Sequence, residues 1–214
     1  HKACRNERYS VATVTTAQRV EGTATAAEFR QRLINGLAAS IVRDGYRNTT
    51  VADIVRHART SRRTFYEHFA SKETCFVALL TDANDAMVRQ ITAAVDRRAP
   101  WQSQVRQAVE AWIACAESEP PITLSWIRDV PSLGAAARKL QRDTMEPYLV
   151  MIQTLCDTDE WHAAGIGPVP RQLATMLLGG LRELTAATLE DGGQVSDITE
   201  VAVHASIALL GPRG

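Results

Sequence analysis

Residues 60–73, TSRRTFYEHFASKE, set Arg62, Arg63, His68 and Lys72 among Phe65, Tyr66 and Phe69. Cations in such a stretch suit one kind of chemistry. A guanidinium fork pairs bidentately with a guanine edge or a phosphate, and an ammonium neutralises phosphate as a point charge. Catalytic arrangements are missing elsewhere in the chain. It has no Gly-x-Ser-x-Gly elbow, no His-Glu-x-x-His and no phosphate loop, and GIGPVP (residues 165–170) lacks the third glycine of a dinucleotide fingerprint. Cys4, Cys75, Cys115 and Cys156 stand far apart, with no Cys-x-x-Cys pair and no histidine cluster beside them, so neither a metal site, a cofactor nor a disulfide framework is expected.

Charge divides the 214 residues. The formal net charge is zero, but residues 1–72 carry 13 Lys+Arg against 6 Asp+Glu, a net of +7, and the remainder carries the opposite −7. A basic front and an acidic back point to two tasks, the front one directed at a polyanion. The 45% of hydrophobic residues supplies a real core. No secretory leader and no run of about 18 apolar residues is present, which leads us to expect a cytoplasmic chain that does not engage a membrane.

The elements that must position the cations are helical. Phe29, Leu33, Leu37 and Ile41 recur every four residues, and Gly45 offers a stop. Thr50 with Asp53 forms a capping-box pattern for a second helix, a third begins near Ser61, and Ser71 can cap a fourth. The close second and third helices outline a helix-turn-helix, whose second member enters the major groove. Phe65 and Phe69 would then pack inward on Ile54, Val55 and Ala58, leaving the charges to face DNA.

The run DGYRNTTVADIVRHARTSRRTFYEHFASKE resembles the DNA-binding domain of TetR-family transcriptional regulators, densely over about residues 26–80. The resemblance implies an all-α protein of about nine helices. An N-terminal three-helix helix-turn-helix domain would span residues 25–72 behind a flexible tail at 1–24. A larger ligand-binding and dimerisation domain would span 73–214. Carried onto matching positions, it implies phosphate contacts from the Thr50 hydroxyl and the Val51 amide. Base reading would fall to Arg62, Arg63 and Thr64, with further phosphate contacts from Tyr66, His68 and Lys72. One position departs from the pattern: Arg59 and Thr60 stand where the family usually carries glycine and an apolar residue. A positive φ at Arg59 would cost roughly 1 kcal/mol relative to glycine.

Beyond Pro100 the helices lengthen. Trp112, Trp126, Met145, Tyr148, Trp161 and Met176 are candidate walls of a largely apolar effector pocket, with plain core packing the competing reading for each. An acidic back leaves a cationic amphiphile among the candidate effectors. The last two helices are apolar on more than one side. Leu173, Leu177, Leu181, Leu184, Val201 and Ala205 are therefore expected at a two-fold interface with a second copy. Trp161 to Pro170 reads as a loop. These expectations converge on a sequence-specific, homodimeric repressor. Its operator would be palindromic, and a small hydrophobic or amphiphilic effector would release it. A nonspecific DNA-coating protein and a helical enzyme are the competing functions.

Overall fold

A computed structural model describes residues 25–133 and 135–212, and the proposed tail at 1–24 lies outside them. Ten α-helices follow one another, with no strand among the described residues: α1 Ala26–Asp44, α2 Val51–Ala58, α3 Arg62–His68, α4 Lys72–Ala94, α5 Trp101–Ser118, α6 Pro120–Leu124, α7 Ala135–Leu155, α8 Asp159–Ala163, α9 Arg171–Glu190 and α10 Thr199–Leu210. A wider π-helical turn, Ser125–Asp129, and a tighter turn, Val130–Leu133, continue α6 up to α7.

Capping sets most of these boundaries in the N-terminal region. Thr25, Thr50 and Ser71 each close a reciprocal capping box, on Glu28, Asp53 and Thr74 respectively. Gly45 leaves α1 at φ 77°, a backbone conformation that glycine reaches without a Cβ clash. Gly36 serves a different need. A Cβ there would come within 2.6 Å of the Ile54 carbonyl, so its absence lets α1 lie against α2.

The apolar stripe of α1 is buried at Leu33, Ile34, Leu37 and Ile41, and it meets Ile54, Phe65, Phe69 and Phe76 in one core. Helix α4 belongs to both halves of the molecule. Its first turns bury Cys75, Phe76, Leu79 and Leu80 on the side of α1, and its later turns bury Asn84 and Ile91 on the side of α5 and α7. The core is therefore continuous across the division at residue 72.

One element differs from the sequence reading. The expected loop from Trp161 begins inside α8, because Trp161 is 1% exposed and anchors that short helix in the core. Its indole N–H donates to Gln104 Oε1 at 3.1 Å. Helix α7 runs through Pro147.

Candidate nucleic-acid interface and effector cavity

The recognition element is seven residues long and depends on its surroundings for its shape. Ser61 caps α3 by accepting the Thr64 amide at 3.0 Å, and the two hydroxyls lie 2.9 Å apart. Phe65 is fully buried and Phe69 nearly so, their ring centroids 5.9 Å apart. Burial of this face leaves the other in solvent. Arg62 and Arg63 are exposed, and Tyr66 is 59% exposed with its ring edge-on to Phe65. Thr64 and His68 are half-buried at the margins. Arg63 Nε reaches back one turn to Glu67 at 3.0 Å. An exposed pair of this kind is worth only about 0.3–0.5 kcal/mol, so a phosphate or a base can displace it.

The turn before α3 accounts for the residues that depart from the pattern. Arg59 adopts the left-handed conformation, φ 50° and ψ 52°. Its N–H bonds the Arg56 carbonyl at 3.2 Å and the Thr60 N–H bonds that of Val55 at 3.0 Å, the paired bonds of a Schellman ending. Arg32 completes the turn from α1. Its guanidinium donates to the carbonyl of Ala58 at 3.1 and 2.6 Å and to that of Arg59 at 2.8 Å. Three charge-assisted bonds offset the strain of a non-glycine residue here. No sequence pattern revealed Arg32, because its partners lie 26 and 27 positions away.

Thr50 and Lys72 are occupied by the fold itself. The Thr50 hydroxyl donates to Asp53 Oδ2 at 2.5 Å while accepting the Asp53 amide at 3.3 Å. Hydrogen bonds from Thr50, with Arg56 adding to them, hold the Asp53 carboxyl down at about 2. The amide of Val51, in the first turn, has no partner among the described residues. Lys72 is turned inward. Its ammonium donates to the carbonyls of Tyr46 at 3.0 Å and Thr49 at 2.9 Å, and it lies 4.3 Å from the Tyr46 ring centroid. It fastens the loop that presents Thr50, and one of its three N–H groups remains for a phosphate.

The C-terminal half holds a partly open cavity of about 70 Å³ among α4, α5, α7, α9 and α10. Trp112, Tyr148 and Trp161 line it, together with apolar side chains such as Ile91, Val109 and Leu178. The polar groups in its walls are committed. The Tyr148 hydroxyl donates to Asn84 Oδ1 at 3.0 Å and the Ser206 hydroxyl to the Ala202 carbonyl at 2.6 Å. Gln104 donates to the carbonyls of Arg97 and Ala99. Trp126 stands beside the cavity and packs against the rings of Trp112 and Tyr148 at 5.9 and 5.8 Å. Met145 lies next to Arg182.

Met176 must be corrected. It is 65% exposed on the outer side of α9 and forms no part of the cavity. The helix periodicity had two apolar lines on α9, and the inward one belongs to the leucines. Leu177 and Leu181, expected at the interface between copies, line the cavity instead. Leu173 and Leu184 are half-buried, and Val201 and Ala205 are exposed on α10. The uncovered face of the last two helices thus consists of Met176, Gly179 and Gly180 on α9 with Val201, Ala205 and Ala208 on α10. No atom of the described residues lies within 4 Å of a Cβ built on Gly179 or Gly180.

A second connection joins the two halves. Asp129, at the end of the π-helical turn, accepts Arg47 Nε at 2.9 Å from the loop before α2. In the same turn Arg128 forms paired bonds to Glu183 and Glu190 of α9, between 2.7 and 2.9 Å. Trp126 lies in that turn as well. One short segment therefore touches the aromatic cluster, α9 and the DNA-binding loop.

Comparison with known proteins agrees with this layout. Residues 33–79 match the family model described as bacterial regulatory proteins, tetR family. The HTH-type transcriptional regulator HbdR of Aromatoleum sp. (strain CIB) is 25% identical over 116 residues, 54% of this chain and 51% of that protein. The chain thus matches about half the length of this curated relative. Among solved structures, the fatty acid degradation regulator FadR of Bacillus halodurans superposes with a TM-score of 0.73 at 15% identity, covering 86% of this chain and 96% of that one. FadR of Bacillus subtilis, solved in complex with stearoyl-CoA, gives 0.72 at 12% identity, covering 86% and 99%. At such identities these two likenesses speak for the fold alone. Residues 33–79 are thus similar to the DNA-binding segment of the tetR family of bacterial regulatory proteins, and the all-helical fold is the one these solved structures share.

Proposed function

We propose that the protein is a sequence-specific DNA-binding repressor that acts as a homodimer and releases a palindromic operator when a small, largely apolar ligand fills the cavity. The observation that carries this reading is the two-sided character of α3. Phe65 and Phe69 fix its orientation from below, while Arg62, Arg63 and Tyr66 project into solvent. Arg62 and Arg63 read bases, and Thr64 stands beside them. Thr50, Val51, Tyr66, His68 and the remaining N–H of Lys72 hold the flanking phosphates. The uncovered face of α9 and α10 meets its own copy across a two-fold axis, with Gly179 and Gly180 allowing the backbones to approach closely. Coupling runs through the turn of Trp126, Arg128 and Asp129, which a ligand beside Trp126 displaces and which pulls on Arg47 ahead of Thr50. One solved relative is a fatty acid degradation regulator by name and another, a transcriptional regulator FadR, holds stearoyl-CoA, and this supports a ligand with a long apolar part. No helix among the described residues is long and apolar enough to cross a membrane, consistent with a regulator at work in the cytoplasm. No group of three or more His, Cys, Asp or Glu able to hold a metal is present among the described residues.

The test is binding to duplex DNA from the promoter of its own gene, followed by fluorescence anisotropy against unrelated duplex at several salt concentrations. Specific recognition predicts a preference of about 10³-fold or more for the operator. Equal affinity for both duplexes would favour a DNA-coating role.

A further inference from the structure

The cavity walls hold no uncommitted polar group, but two uncommitted donors lie just behind them. Arg182 Nε is buried without a hydrogen-bond partner, and so is Asn84 Nδ2. The Arg182 guanidinium sits 4.6 Å from the centroid of the Trp126 ring, and its Nη1 has only the Met145 sulfur, a weak acceptor, at 3.5 Å. No carboxylate pairs with it among the described residues; neighbouring Glu183 is engaged by Arg128. Asn84 has spent its carbonyl on the Tyr148 hydroxyl, which also lies 3.1 Å from the Met87 sulfur. Both orphan donors therefore border one cluster of rings, Trp112, Trp126 and Tyr148, whose centroids are 5.8 to 5.9 Å apart.

A guanidinium of a half-buried residue whose Nε is buried without an acceptor is costly, and a buried amide N–H without an acceptor adds to the cost. Burial already depresses the Arg182 pKa below its ordinary value. The guanidinium's charge is met only by the face of Trp126 and the Met145 sulfur among the described residues.

We propose that Arg182 and Asn84 form the polar end of the effector cavity and bind the carboxylate of an amphiphilic monoacid whose apolar body fills the space beside Trp112, Tyr148 and Leu178. Leu178 lines the cavity one helical turn before Arg182 on α9, so a ligand lying along that helix meets the guanidinium at its end. The chemistry of the two donors selects the headgroup. Both lack an acceptor, one carries positive charge, and a single carboxylate offers two oxygens. A phosphate dianion would bring a second negative charge with no second cation to meet it. A cationic amphiphile, although the rings would welcome it, would face Arg182 already stacked on Trp126. A sugar needs acceptors as well as donors, and the walls supply neither freely.

This inference rests on reading the cavity as the effector site, and the experiment separates the two. Binding to the purified full chain is measured by tryptophan fluorescence and calorimetry for the unbranched carboxylates from hexanoate to tetradecanoate. Each is paired with the primary alcohol and the alkyltrimethylammonium of equal length. At least one carboxylate is expected to bind about tenfold or more tightly than its alcohol, and the ammonium more weakly than either. Arg182→Gln should remove that preference while leaving the alcohol's affinity within about threefold, and Asn84→Ala should reduce it in part. Should Arg182→Gln fold poorly, Arg182→Lys, which keeps the charge and loses the fork, is expected to fall between the two. Equal binding of carboxylate and alcohol, no binding by any carboxylate, or an undiminished preference in Arg182→Gln would overturn the anion subsite. If a carboxylate binds through Arg182 but leaves operator affinity unchanged, the subsite stands and the effector reading falls. Alcohols that enter and release the operator without any carboxylate preference would show the reverse.

Discussion

Arg63 and Arg182 are the same side chain in opposite settings. Arg63 stands in water on a short helix, its side chain 89% exposed and paired only weakly with exposed Glu67. Arg182 lies inside the larger half, stacked on Trp126, with a buried N–H that nothing accepts. The DNA-binding half keeps its free cations in solvent, where they await a charged polymer that is itself strongly hydrated. The larger half holds the Nε of Arg182 buried, with no acceptor among the described residues, against Trp126. The difference teaches that partner size is written into where the uncompensated charge is kept.

Mutations can break this comparison, beginning with the scaffold under the exposed cations. Phe65→Ala empties the fully buried centre of the helix-turn-helix and is expected to cost about 3–5 kcal/mol in urea unfolding. DNA binding should be lost with it. Gly36→Val pushes α1 off the Ile54 carbonyl and should cost roughly 1–3 kcal/mol by the same measurement. Arg63→Ala should leave the unfolding midpoint within about 0.5 kcal/mol yet weaken operator binding by about 1–3 kcal/mol. Were Arg63→Ala to destabilise the fold as Phe65→Ala does, the division between scaffold and reading face would be wrong.

At the other pole, Arg182→Met removes the buried charge and should raise stability by about 1 kcal/mol in the absence of ligand. A drop in stability would mean that the fold, and not a ligand, retains Arg182. The smallest effect concerns Asp53, whose carboxyl is held down at about 2 by Thr50 and Arg56. Because the folded value is depressed, its contribution is complete above the ordinary value of 3.8 and is lost as pH falls through about 2. Acid titration of Asp53→Asn should therefore show a shallower fall in α2 stability over that window than the wild type.

Local rules made the front half legible from sequence. Capping boxes at Thr50 and Ser71, the Phe65/Phe69 spacing and the charged turn of α3 all depend on residues three or four apart, and the structure places them as that spacing implies. Long-range partners were not legible. The clamp from Arg32, the docking of Lys72 on Tyr46 and Thr49, and the link from Arg47 to Asp129 join residues more than twenty positions apart. The back half shows the limit of periodicity. It marked α9 as apolar on two sides, but which line turned inward depended on α5, α7 and α10. Leu177 and Leu181 thus exchanged places with Met176. That Arg182 Nε lacks a partner among the described residues is likewise visible only in the structure.

The central claim, that α3 reads DNA sequence through its exposed arginines, is tested most directly by selection from a random duplex library with wild-type protein and with the Arg62→Ala/Arg63→Ala double variant. The account predicts that the wild type enriches a two-fold symmetric site. The double variant, with an unchanged unfolding midpoint, should lose preference at matching positions in both halves. Recovery of the same motif by the double variant, or of no motif by the wild type, would contradict it.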